Sequence, residues 1–125
     1  MSATLGRVIV YTGRIDELAA FYATHFGFDV IRRDGDRIVE LRHRGGGAAI
    51  LLHPLAKGRK DGPSLVKLVF DVEDVAGFRD AAAQGGLEFG PLHDGGGYVF
   101  ANAKDPAGNT ISISGRAFAH GGTPA

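Results

Sequence analysis

The chain has 125 residues, of which 44% are apolar and 22% charged, with no cysteine and with 14 basic residues balancing 14 acidic ones. That composition belongs to a single soluble globular domain with a core of its own and not to a disordered chain. A net charge of zero leaves no basic field for nucleic acid, and the lack of thiols excludes disulfides and thiolate chemistry.

No apolar run approaches membrane-spanning length, and Met1-Ser2-Ala3-Thr4 lacks the basic and apolar regions of a signal peptide. The expected location is therefore the cytoplasm, with neither membrane nor nucleic acid as a partner. Arg7 to Tyr11 alternates as a short strand. Asp16 or Glu17 opens a helix whose apolar stripe is Ile15, Leu18, Tyr22 and Phe26, and Gly27 stops it. Phe28 to Arg33 and Arg37 to Arg44 read as strands joined by an Asp34-Gly35 hairpin turn, and Ala48 to His53 as a fourth strand. Pro54 to Pro63, rich in glycine, proline and charge, reads as an exposed linker.

After the linker the pattern restarts. Leu65 to Val72 is the next strand, and Asp74 caps a helix striped by Val75, Phe78 and Ala82. Gly85-Gly86 ends the helix, Leu87 to Phe89 begins a strand, Tyr98 to Ala103 is another, and Thr110 to Ser114 closes the set. The last two form a hairpin around Asp105-Pro106-Ala107-Gly108-Asn109, where Gly108 and Asn109 tolerate the left-handed backbone of a reversal. The same order, strand-helix-strand-strand-strand, thus appears twice at an offset of about sixty residues, with Arg7 answering to Lys67 and Gly27 to Gly86. The expected organisation is one domain, 1–125: module one 6–53, linker 54–63, module two 64–115, and a frayed tail 116–125. The glycine clusters sit where one periodic segment gives way to another, and no phosphate-binding glycine motif occurs.

Paired βαβββ modules of this length resemble the vicinal oxygen chelate superfamily, which includes glyoxalases, bleomycin-resistance proteins and extradiol dioxygenases. The resemblance rests on Phe21-Tyr22 and Gly27-Phe28 in module one. In module two it rests on Phe70-Asp71-Val72-Glu73-Asp74-Val75, Gly85-Gly86 and Asp105-Pro106-Ala107-Gly108-Asn109. It spans residues 6 to 115 and implies an α+β fold, two tandem βαβββ modules with curled mixed sheets. Metalloenzymes of that family hold a divalent ion with side chains from the first and fourth strands of each module. The matching positions here are Arg7 and Leu51 (Ile50 if the register slips by one), then Lys67 and Ser112. Two cations, an aliphatic side chain and a lone hydroxyl are poor ligands where imidazole and carboxylate are needed. The expectation is no metal and no cofactor.

Strand alternation says which side chains share a face. Val66, Leu68, Phe70 and Val72 pack under a helix, so Lys67, Val69 and Asp71 face the concave side. By the same rule Arg7, Ile9 and Tyr11 face it, as do Thr110, Ser112 and Ser114, while Leu51 shares a strand face with His53. The candidate ligand-binding residues are therefore Arg7, Ile9, Tyr11, Leu51, His53, Lys67, Val69 and Ser112. Glu40 and Asp71 are the internal carboxylates available to Arg7 and Lys67; otherwise an anionic ligand completes the two cations. Of the other histidines, His25 suits a helix C-terminus, and His43, His93 and His120 read as surface. No spacing signature groups His53, Glu40 and His93 as a metal site, and no catalytic residues are assigned.

Three function classes follow. The first is a metal-free protein binding a small organic molecule, anionic or aromatic, in the concave cleft. The second is a metal-dependent lyase or dioxygenase of the same superfamily. The third is a metal-free enzyme or a partner domain. A homodimer is expected, because two-fold pairing is the commonest way to close open sheet edges.

Overall fold

The computed structural model describes residues 1–119. The chain divides between Pro63 and Ser64 into two compact units. The first contains β1 (Arg7–Thr12), α1 (Ile15–Phe26), β2 (Phe28–Ile31), β3 (Val39–His43) and β4 (Ala49–Pro54). The second contains β5 (Leu68–Asp71), α2 (Val75–Gln84), β6 (His93–Asp94), β7 (Val99–Lys104), β8 (Thr110–Ser114) and a 3₁₀ turn, Arg116–Phe118. Each unit is a four-stranded mixed sheet with one helix, in the orders β1-β4-β3-β2 and β5-β8-β7-β6. The first and last long strands run parallel in each (β1 with β4, β5 with β8), and the remaining pairs are antiparallel. The fold is α+β with the duplicated element order read from the sequence.

Helix α1 forms where the stripe demands, and Leu18, Ala19, Tyr22 and Phe26 are its buried residues. Its N-cap, Arg14, makes no side-chain cap. Thr12 serves instead: its hydroxyl accepts from the Arg14 N–H at 2.9 Å and donates to Asp61 at 3.0 Å. Gly27 closes the helix at φ 75°, a left-handed conformation that favours glycine. Beneath the helix lie Val39, Leu41, Ile50 and Leu52, all buried. His43 belongs to this covered face too. Its Nδ1 accepts from the Gly45 N–H at 2.9 Å, so its Nε2 carries the proton and donates to the Phe26 carbonyl at 3.0 Å. The surface reading of His43 is thus corrected, for its ring ties β3 to the end of α1.

In the second unit Asp74 caps α2 by accepting from the Gly77 N–H at 3.0 Å. Only Val75 of this helix is fully buried. Below it Ala101, Ala103, Ile111 and Ile113 form the core. The turn between β7 and β8 is held by Asp105, whose Oδ1 accepts from the Ala107 and Asn109 N–H groups. Gly108 takes the left-handed backbone at φ 87°, whereas Asn109 does not. Asn109 contributes its side chain instead, donating to Asp105 Oδ2 at 3.1 Å and accepting from the Ser64 N–H at 2.6 Å.

Several strands are shorter than the sequence implied. Residues 65–67 lie outside β5, with Leu65 106% and Val66 65% exposed. The parallel partner β8 begins only at Thr110, so the chain ahead of Lys67 has no ladder to join. Arg32, Arg33, Arg37 and Ile38 also fall outside strands: the Asp36 carboxylate takes the Ile38 N–H at 2.9 Å and competes with the ladder. The strand expected at Leu87 to Phe89 is absent. Leu87 and Phe89 bury their side chains from a loop, Gly90 donates one bond to the Asn102 carbonyl, and Pro91 has no N–H to continue. The linker is not free of the module before it, since Asp61 accepts from Thr12 and from the Gly13 N–H at 2.9 Å. Nor is the start of the tail frayed, because Arg116–Phe118 form the 3₁₀ turn. His120 and the rest of the tail lie outside the described residues.

Candidate functional site

Each sheet has a face without a helix, and the register names the side chains on it. In the first unit Ile9 is level with Leu51 and Leu51 with Glu40, while Arg7 is level with Ala49 and Tyr11 with His53. Five expected site residues, Arg7, Ile9, Tyr11, Leu51 and His53, therefore share one face of two adjacent strands. Ile9 remains 46% and Tyr11 55% exposed, a pair of large apolar groups in contact with water. The Tyr11 and His53 rings lie 4.9 Å apart at 52°. His53 is half-buried, and its Nδ1 lies 2.8 Å from the Pro54 carbonyl oxygen.

The charged residues on this face do not pair as expected. Arg42 donates from Nε (3.0 Å) and Nη2 (2.8 Å) to Glu40 Oε2, so the buried Glu40 is taken by its own strand neighbour. The Arg7 side chain is exposed and makes no ion pair among the described residues. At the far end of β3, Arg44 binds the Asp29 carboxylate, whose hydrogen bond and then charge hold the exposed guanidinium above its ordinary pKa.

In the second unit Val69 is level with Ser112, and Ser112 with Asn102. Val69 is 54% exposed, whereas Ser112 is buried and its hydroxyl donates to the Ala101 carbonyl at 3.1 Å. Lys67, just ahead of β5, donates to Asn102 Oδ1 at 3.1 Å, leaving Asp71 outside that pairing. Asn102 was not singled out from sequence. Its place opposite Ser112 follows from the β7–β8 register, which the expected strand bounds, Tyr98 to Ala103 and Thr110 to Ser114, did not fix. His93, read as surface loop, sits in β6 opposite Phe100 with the rings 5.1 Å apart.

No group of three or more His, Cys, Asp or Glu among the described residues is arranged to hold a metal ion. At the positions matched to metal ligands, Arg7 and Lys67 are cations, Leu51 has no lone pair, and the Ser112 proton is committed to a carbonyl. The donor set does not fit a divalent ion.

The model of the Glyoxalase/Bleomycin resistance protein/Dioxygenase superfamily matches residues 4–113. The chain belongs to that superfamily. Solved structures carry the same fold at low identity. An antibiotic binding protein, TnmS3 from Streptomyces sp. CB03234, aligns with TM-score 0.74 and 17% identity over 90% of this chain and 94% of its own. Lactoylglutathione lyase from Agrobacterium tumefaciens aligns with TM-score 0.70 and 19% identity, over 90% and 93%. A glyoxalase/bleomycin resistance protein/dioxygenase family enzyme from Burkholderia phytofirmans PsJN gives TM-score 0.70 and 24% identity, over 90% and 98%. No protein of curated function matches the sequence. Superfamily neighbours thus include both a binder and a lyase, and the fold alone does not choose between them. No helix among the described residues is long and apolar enough to cross a membrane.

Proposed function

We propose that this superfamily member is a metal-independent binding protein that captures a small organic molecule on the helix-free face of its sheets. The observation that carries the reading is the replacement of all four ligand positions by Arg7, Leu51, Lys67 and Ser112. The exposed apolar groups Ile9, Tyr11 and Val69 on those faces support it, as does the antibiotic-binding activity named for a protein of the same fold. Arg7, Ile9, Tyr11, Leu51 and His53 form the ligand face of module one. Lys67, Val69 and Ser112 are their counterparts in module two, and each face carries one cation, Arg7 on the first and Lys67 on the second, that suits an anionic substituent. The active species in this reading is a two-fold homodimer in the cytoplasm, for which the absence of cysteine and the open sheet edges speak.

Two measurements test this reading. Protein purified without chelator and offered zinc, nickel, manganese or iron should retain well under one equivalent after gel filtration. In the same preparation, an aromatic compound from an antibiotic panel should raise the melting temperature in proportion to the logarithm of its concentration. Near-stoichiometric metal that survives gel filtration would move the protein to the lyase or dioxygenase class.

A further inference from the structure

Among the described residues, two half-buried histidines have rings fixed by hydrogen bonds, and they differ in what those bonds leave over. In His43 both nitrogens are engaged, one by the Gly45 N–H and the other by the Phe26 carbonyl. His53 has one contact of this kind, from Nδ1 to the Pro54 carbonyl oxygen at 2.8 Å. A carbonyl has no proton to give, so Nδ1 must be the protonated nitrogen, and in the neutral ring Nε2 is then a bare acceptor. No described residue donates to it.

The setting of that nitrogen defines what would meet it. Tyr11, level with His53 on the neighbouring strand, sets its ring 4.9 Å away, and the next pair along the face is Ile9 with Leu51. Ile9 and Tyr11 are open to solvent, so together with Leu51 they offer an apolar floor for a flat molecule. At the edge of the floor stands an acceptor whose tautomer the Pro54 carbonyl selects. We infer that His53 is a specificity-determining residue that selects ligands carrying a hydroxyl or N–H donor on a planar aromatic ring. This inference rests on the small-molecule reading above and adds to it the chemical class of the ligand. A ring without a donor would pack on the same floor but leave the acceptor desolvated and unpaired, which is the discriminating cost.

The test is a matched pair of probes, naphthol and its methyl ether, which share a ring system and differ in the donor. Both are titrated into protein whose histidines carry heavy nitrogen. Naphthol should bind about three- to tenfold more tightly, the range of one net hydrogen bond, and should move the His53 Nε2 resonance while leaving that of His43 in place. In His53→Phe, which keeps a ring beside Tyr11, the two probes should bind alike, with the melting curve confirming the fold. Equal binding of both probes to the native protein, with the Ile9 and Tyr11 signals perturbed, would overturn donor selection and leave the binding reading standing. A preference that persists in His53→Phe would remove His53 from the role. If neither probe perturbs this face, the inference and the small-molecule reading of module one both fall.

Discussion

Helix α1 drives Leu18, Ala19, Tyr22 and Phe26 into its sheet, whereas α2, rich in alanine, fully buries only Val75. In module one the Tyr22 ring meets Phe28 edge-on at 6.2 Å, and Phe28 meets His43 at 5.3 Å. Module two buries more of its polar side chains, Asp105, Asn109, Ser112 and Ser114 against Thr12 and Glu40 among the described residues. Asp105 and Asn109 lock the β7–β8 turn, Arg79 donates to the Gly90 carbonyl at 2.8 Å, and Asp74 caps the helix. The two copies show that one chain path can be specified in two ways. Its requirement is that each sheet have a covered face, and ring burial or fixed hydrogen bonds can both position the cover.

The largest expected effect tests the aromatic half of this contrast. Tyr22→Ala should cost about 3–5 kcal/mol in denaturant unfolding, the range for emptying a large buried aromatic site. Phe78→Ala, at a half-buried position of α2, should cost less than about half as much. Equal losses would break the contrast. Next is Asp105→Ala, which strips the carboxylate from buried Asn109 and should cost about 2–3 kcal/mol. A loss within error would mean that the turn holds without its polar lock. The smallest effect concerns the helix starts: Asp74→Ala should cost about 1 kcal/mol, the range for a lost cap bond, while Arg14→Ala, whose side chain makes no cap bond, should cost less. A reversed order in paired melting curves would place the capping energy in the wrong module.

The sequence carried more of the fold than of the site. Periodicity located both helices and the repeated order, because a stripe such as Leu18, Tyr22 and Phe26 has few alternatives. It could not locate strand ends, which depend on whether a partner is present: Leu65 and Val66 are as β-prone as Leu68 and Val69 but have no ladder beside them. Alternation placed Arg7, Ile9 and Tyr11 on one face, since side-chain direction in a strand is a local property. The partners chosen on that face were not local. Glu40 pairs with Arg42 and not with Arg7, and Lys67 finds Asn102, because these pairings follow from rotamers and distances within the folded sheet.

Strand β6 has two residues and lies at the edge of its sheet, bounded by Pro91 on one side and Gly95-Gly96-Gly97 on the other. A ladder that short, between a residue without an N–H and three without side chains, is a poor template for a strand from another molecule. One of the two outer strands of the first sheet, β2, is four residues long and runs into Arg32 and Arg33, whose charges resist stacking of identical copies. Under the capture proposal the protein accumulates to the concentration of its ligand, and crowding of that kind rewards edges as short as β2 and β6.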